Sequence, residues 1–222
     1  MTLKKGDFIE LEFTGRIKED NNVFDTNIEK DAKEANLDIK VFKPFVLGVG
    51  KEMLPKGFDE DIEGKEVGKS YVIEISPEKG FGKRDKTLIK MVPTKLFLEQ
   101  QINPQRGMQL ELDGQLVKVL SNSGGRTLMD FNNPLAGKDL VYSYNILKLV
   151  DKMEDKINAL QDFLFRKRFE FKVDGKKAIF EVEKGLAQFI QMFAPKFKEI
   201  LDLDIEAKIV EKKEVKKEKT SN

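Results

Sequence analysis

The chain has 222 residues, 40% of them hydrophobic and 17 of them Phe, and its 40 basic side chains nearly cancel 39 acidic ones for a formal charge of +1. That length suits one large domain or two to three small ones, and the balance leaves no global field for direct nucleic-acid or anionic-membrane binding. With no Cys and no His there is no disulfide framework, no thiol nucleophile, no imidazole base and no common zinc site.

The N-terminus MTLKKGDF carries no signal-type apolar region. No apolar run approaches the roughly 20 residues of a membrane span, so a cytoplasmic protein without a membrane partner is expected. Phe8–Phe13 alternates as a strand, and Gly15 marks a bend in it. Asp20-Asn21-Asn22 turns the chain, and Val23-Phe24-Asp25-Thr26 resumes it in extended form. Asn27–Asn36 is polar and reads as a surface loop or short helix. Val41–Gly48 reads as a strand broken by Pro44, hence an edge or bulge.

The stretch Gly48–Gly82 organises what surrounds it. Met53-Leu54 is an apolar step ahead of Pro55 and Gly57. Phe58–Glu63 is a short helix with Phe58 and Ile62 on one face. Tyr71–Ile75 is a strand ended by Ser76-Pro77. A helix this short is unstable alone. It must lie against a sheet, and the loop before it should line a pocket.

After Gly82 the texture changes. Leu88–Val92 is apolar-rich and ends at Pro93, and Phe97-Leu98 sits in a short helical piece. Met108–Leu112, a turn at Asp113-Gly114, Gln115–Leu120, a second turn at Ser123-Gly124-Gly125 and Thr127–Phe131 read as a small β unit. Leu140–Leu149 is one more long strand. From Asp151 the period changes: Met153, Ile157, Leu160 and Leu164 form a helical stripe. Phe169–Val173 and Ala178–Val182 alternate around a hairpin signal at Asp174-Gly175. Helical spacing returns over 186–200 with Pro195 as a break, and Ile205, Ala207 and Ile209 form a last strand. The expected order is α-β-β-α-β, followed by a charged, disordered tail at 211–222.

Three signatures now stand in order: Phe13-Thr14-Gly15 with Val23-Phe24-Asp25-Thr26, Leu54-Pro55-Lys56-Gly57-Phe58-Asp59-Glu60, and Gly80-Phe81-Gly82. With Val67-Gly68, Ser76-Pro77 and 135–140 (LAGKDL), they resemble the FKBP-type peptidyl-prolyl cis-trans isomerases. The insert after Gly82 is similar to that of the SlyD-like branch, where the insert-in-flap module acts as a chaperone, and the extra C-terminal part resembles the long archaeal form. The resemblance covers roughly Lys4–Val150 and is weak beyond it. It implies an α+β fold: an antiparallel sheet wrapped on a short helix over 1–83 and 134–150, a small β-rich insert over 84–133, and a separate α/β C-terminal domain over 151–210.

The same resemblance places Phe24, Phe58 and Tyr142 as aromatic walls of a proline pocket, completed by Phe13 and Phe81. Asp25 becomes the polar group facing the twisting amide. The backbone N–H of Leu54 holds a substrate carbonyl with Met53 beside it, and Phe45 is a further lining residue. Residue by residue, the alternative for each aromatic is plain core, and for Asp25 a turn-capping carboxylate. The chemistry agrees with the composition. Turning an X–Pro amide needs no nucleophile, metal or cofactor, because its barrier of about 18–20 kcal/mol is lost amide resonance. An apolar pocket and a few oriented polar groups suffice.

Departures from the family pattern matter. The family usually has Tyr where Phe13 and Phe81 stand, so two hydroxyls are missing, each worth about 0.5–1.5 kcal/mol if hydrogen-bonded. Macrolide inhibitors are therefore expected to bind weakly. The branch's His-rich metal-binding tail is absent, so no nickel binding is expected. In the insert, Leu88, Ile89, Met91, Val92, Phe97 and Met108 are either the module's own core or a patch that holds unfolded clients near the pocket. The expected partners are unfolded or proline-containing polypeptides, with a homodimer through the C-terminal domain. The rival readings are a holdase with weak catalysis on the same fold, and a scaffold binding a fixed partner such as the ribosome.

Overall fold

In a computed structural model of the chain, residues 1–39, 42–112 and 114–210 are described. Val41, Asp113 of the expected turn, and the charged tail 211–222 lie outside the described residues. The elements are β1 (Phe8–Ile17), β2 (Val23–Thr26), α1 (Glu29–Glu34), β3 (Phe45–Gly48), α2 (Lys56–Ile62) and β4 (Ser70–Ile75). They continue with β5 (Ile89–Pro93), α3 (Thr94–Leu98), β6 (Gln109–Leu112), β7 (Gln115–Ser123), β8 (Arg126–Asp130) and β9 (Leu140–Leu149). Last come α4 (Met153–Leu160), β10 (Phe171–Asp174), β11 (Lys177–Val182), α5 (Ala187–Met192), α6 (Ala194–Leu201) and β12 (Asp204–Ile209).

Among the described residues the strands form three sheets with mainly antiparallel pairing. The first sheet runs β2-β1-β9-β4, with β3 also paired to β1. β1 buries Ile9, Leu11 and Phe13 on one face as its alternation requires, and Phe8 at its start is buried on the other. Pro44, which has no N–H to give a ladder, stands just outside β3, so the strand begins at Phe45 rather than at residue 41. α2 lies against β4 with Phe58 and Ile62 fully buried. That contact needs Gly57: a Cβ there would sit 2.8 Å from Ile75 Cγ2. The polar stretch after Thr26 contains α1, which buries Ala32, holds Asp31 half-buried where it accepts from the Thr14 hydroxyl, and exposes its other charges.

The second sheet, β5-β8-β7-β6, has its own small apolar cluster of Phe97, Val117, Val119 and Met129. β7 reaches Ser123 through a register shift between Val119 and Ser121, longer than alternation alone indicates. The two chains entering and leaving this sheet are tied together. Asn132 Oδ1 accepts from the Asp85 N–H at 2.8 Å, Asn132 Nδ2 donates to the Asp85 carbonyl at 2.9 Å, and the Gly137 N–H donates to the Gly82 carbonyl at 2.8 Å.

The third sheet is β10-β11-β12, where β11 and β12 run parallel. The helical stretch between them splits at Phe193, with Pro195 in the first turn of α6, where its missing N–H costs nothing. Phe165 is the hub of this part: it stacks on Phe197 with centroids 5.6 Å apart and meets Phe193 edge-on at 5.2 Å. The buried residues of this part are continuous with those of the first sheet, from Leu140 and Ile146 through Ile157 and Leu160 to Phe180. Among the described residues no helix is long and apolar enough to cross a membrane.

Candidate active site

Strand pairing builds the site. Gly15 on β1 pairs with Asp25 on β2, but Arg16 pairs with Val23, so Phe24 is an extra residue without a partner. Such a bulge re-aims the side chains around it. It brings both Phe24 and Asp25 beside Tyr142, which β9 presents directly opposite Gly15. The rings close over Gly15 because it has no Cβ. One built there would lie 2.7 Å from Phe24 Cζ and 2.9 Å from Tyr142 Cε1. The departure of β2 is fixed by Asn27, whose Oδ1 accepts from the Phe13 N–H at 2.8 Å while its Nδ2 donates to the Leu11 carbonyl at 2.9 Å.

Tyr142 is the centre of the aromatic group. Its ring meets Phe24 at 5.6 Å and 88°, Phe58 at 5.3 Å and 78°, and Phe13 at 6.1 Å and 46°. Phe24 continues edge-on to Phe81 at 6.4 Å, and Phe13 to Phe45 at 6.2 Å. Edge-to-face contacts at these distances are the favoured aromatic arrangement, worth about 0.5–1.5 kcal/mol each beyond burial.

A cleft of about 1140 Å³ opens in front of this group. Phe13, Asp25, Phe45, Phe81 and Tyr142 line it, and Met53 and Leu54 form another part of its wall. Phe58 and Phe24 do not reach its surface. Phe58 has no exposed area and packs between Tyr142 and Tyr144, the latter 4.7 Å away. It stands on the buried face of α2, so it backs the wall instead of forming it. Phe24, which is half-buried, packs edge-on against Tyr142 and Phe81.

The loop carrying Met53 and Leu54 is held from below by Asp59 of α2. Its carboxylate accepts from the Gly50 N–H at 2.8 Å and the Glu52 N–H at 3.0 Å. Met53 Sδ accepts from the Gly48 N–H at 3.3 Å. Among the described residues no group accepts a hydrogen bond from the Leu54 N–H, which leaves that donor free on the cleft wall.

Asp25 as a whole residue is open to solvent, but its carboxylate is crowded by the walls around it. Burial raises its pKa above the usual carboxylate range, and the Thr26 backbone and the Arg166 guanidinium pull it partly back. The Tyr142 hydroxyl is pushed well up from its ordinary value, first by burial and then by the Asp25 charge. The charge of Asp25 thus reaches the Tyr142 hydroxyl. There is no nucleophile–base pair here. At this end of the cleft the arrangement is an aromatic corner with the Asp25 carboxylate, the Tyr142 phenol and one free backbone donor, while the rest of the lining carries charged residues such as Glu10, Glu52, Asp151 and Asp155.

A family model described as FKBP-type peptidyl-prolyl cis-trans isomerase matches residues 1–98, and one described as FKBP26, IF domain matches residues 90–135. The short-type peptidyl-prolyl cis-trans isomerase of Methanocaldococcus jannaschii is 34% identical over 146 residues, which is 65% of this chain and 92% of that protein. The chain belongs to the FKBP-type peptidyl-prolyl cis-trans isomerases. The SlyD isomerase of Aeromonas hydrophila is 28% identical over 140 residues, 62% of this chain and 60% of its own length. FK506-binding protein 1A of Aspergillus fumigatus is 31% identical over 81 residues, 36% of this chain and 62% of its own.

In and around the second sheet, the residues expected to bind clients divide. Met91 is 59% exposed and Leu88 and Met108 are each 37% exposed, whereas Phe97 is 4% exposed and forms the centre of the second cluster. Ile89 is half-buried, and Val92 packs against that cluster. Phe97 points inward because α3 has one apolar face on the sheet, and this turns Leu96 and Leu98 out to 52% and 55% exposure. Leu116 is also exposed, at 45%. Those three were not singled out from sequence, since only the helix orientation distinguishes Phe97 from its neighbours.

Other contributors were missed for similar reasons. Gly15, Asn27 and Asp59 act through backbone geometry, which composition does not report. Ordered motif spacing could have flagged Asp59, two residues after Gly57. Asn158 at the end of α4, and Phe163 and Arg166 just after it, line the same cleft, and nothing in their spacing names the surface they meet.

Proposed function

We propose that the cleft binds a prolyl peptide with its ring against Tyr142, Phe13 and Phe81. The Leu54 N–H holds a substrate carbonyl, and Asp25 faces the rotating amide. As the C–N bond twists, resonance is lost and the carbonyl becomes less polar, so an apolar enclosure favours the twisted form over the planar one. A carboxylate beside the amide steadies the changing charge at nitrogen without making a bond. The observation that carries this reading is the convergence of Asp25, Tyr142 and the free Leu54 donor on one cleft with an aromatic end.

The reading extends to a chaperone. Residues 84–133 serve as an inserted module whose exposed Met91, Leu88 and Met108, together with Leu96 and Leu98, hold unfolded polypeptide beside the cleft. Exposed apolar patches of this kind mark interaction surfaces, and tethering raises local substrate concentration. Residues 151–210 act as a C-terminal domain that pairs subunits through exposed Met192 and Ile209, 75% and 54% open. The protein works on unfolded or proline-containing chains in the cytoplasm. The test is refolding of a proline-limited protein by full-length chain and by Asp25→Ala. Acceleration by the first and about tenfold less by the second is expected. Equal acceleration by both would refute the role of Asp25.

A further inference from the structure

The cleft is larger than one prolyl bond requires. Its volume of about 1140 Å³ exceeds the roughly 300–1,000 Å³ of sites that take a small molecule. The excess comes from a second wall. Asn158 and Ala159 at the end of α4, and Phe163 and Arg166 in the turn beyond it, line the cleft together with Phe13, Asp25 and Tyr142.

This wall is built rather than incidental. Ile157 and Leu160 of α4 have no exposed area and belong to the same apolar cluster as Tyr142. Lys43, just before β3, donates to Asp162 Oδ2 at 2.6 Å. Arg168 donates to the two oxygens of the same carboxylate at 2.9 and 2.7 Å. Both cations are thereby engaged, and Lys148 pairs with Glu10 at 3.1 Å. Arg166, in a left-handed conformation with φ of 55°, ends the helical turn. Among the described residues its guanidinium has no hydrogen-bond or ion-pair partner, and its charge is felt by Asp25. Phe163 is half-buried against the cluster and turns the rest of its surface to the cleft.

We propose that Asn158–Arg166 is a substrate subsite of the isomerase, which takes the residues flanking the proline in an extended polypeptide, with Phe163 receiving an apolar side chain. An extended chain spans at most about 3.3–3.6 Å per residue, so a decapeptide can extend roughly 20 Å further than a tetrapeptide beyond a proline held at the Tyr142 end. The inference rests on reading that end as the prolyl site. It makes the C-terminal part a determinant of which chains are turned over.

The test compares kcat/KM of the full-length protein for a tetrapeptide and for a decapeptide with one proline flanked by Leu and Phe. In Phe163→Ala the decapeptide-to-tetrapeptide ratio should fall about tenfold, through KM. An unchanged ratio overturns the subsite. Should that variant not fold, titration of the wild-type chain with the decapeptide, followed by NMR, decides. Shifts at the Ala159 methyl and the Asn158 amide together with the Phe81 ring are expected. Shifts at Phe81 without Ala159 overturn the subsite alone, and shifts at neither overturn the prolyl reading itself.

Discussion

Phe24 stands edge-on to Tyr142, with ring centroids 5.6 Å apart and planes at 88°. Gly15 makes that contact possible, since a methyl group on it would meet both rings inside 3 Å. Gly15→Ala should push the pair apart, with an overpacking cost of about 1–3 kcal/mol. Denaturant unfolding should show that loss, and tetrapeptide kcat/KM should fall by at least about tenfold as the cleft wall shifts. Full activity in a stably folded Gly15→Ala protein would show that the ring geometry is not needed.

Asp59 carries the loop that presents Leu54. Its two carboxylate oxygens each accept one backbone N–H, from Gly50 and Glu52. Asp59→Ala leaves both donors without their partner, at about 1–3 kcal/mol each where water cannot replace it. Asp59→Asn keeps one acceptor oxygen and should fall between. In peptide kinetics the loss should be larger in KM than in kcat, because the loop positions substrate. An Ala variant matching wild type in both constants would contradict the clamp.

Asp25 predicts a pH dependence. Its folded pKa lies above the usual value of 3.8 because burial outweighs the Thr26 and Arg166 contributions. The neutral form is thus favoured by folding. The stability it contributes is present below 3.8 and is lost as pH rises through the folded pKa. Catalysis by the ionised carboxylate runs the other way, falling as pH drops through that raised value. The acid limb of kcat/KM should therefore begin above 3.8. Arg166→Met should move it higher still, and Asp25→Asn should abolish it. A limb unmoved by Arg166→Met would remove the guanidinium from the site's electrostatics.

Phe13 and Phe81 both line the cleft without a hydroxyl. Phe81→Tyr should tighten a macrolide inhibitor by roughly 2- to 12-fold, the equivalent of one net hydrogen bond of about 0.5–1.5 kcal/mol. Calorimetric titration measures this directly, and no gain would mean that the new hydroxyl meets no acceptor.

The clamp between Asp85 and Asn132 lets the second sheet be removed cleanly. Replacing residues 87–130 by a short Gly-Ser linker should keep tetrapeptide turnover within about twofold and cut acceleration of an unfolded protein by tenfold or more. Equal loss on both substrates would end the division of labour between cleft and insert.

Much of this was legible in the chain. The alternation of Phe8–Phe13 gave β1, and Phe58 with Ile62 gave α2, because burial on one face leaves a periodic trace. Phe13, Asp25, Phe45, Phe81, Tyr142, Met53 and Leu54 all line one cleft; Phe13, Asp25, Leu54 and Phe81 stand in the ordered motifs, whereas Phe45, Met53 and Tyr142 came only with the family resemblance those motifs carry. Phe58 shows the limit: spacing says that it faces inward but not whether it meets ligand or another ring. Phe97 and Leu96 show the same limit in the insert. The wall from Asn158 to Arg166 was hidden because it is a tertiary contact between distant segments, set by the Lys43–Asp162 pair and by packing of α4, neither of which has a local signature.

The most direct measurement is the rate of a proline-limited refolding reaction with catalytic amounts of the full-length protein, beside Asp25→Ala. A rate that rises in proportion to wild-type concentration, with at least about tenfold less effect from the variant, is the expected result. A refolding rate that stays at its uncatalysed value while the protein only suppresses aggregation would contradict the catalytic role of the cleft.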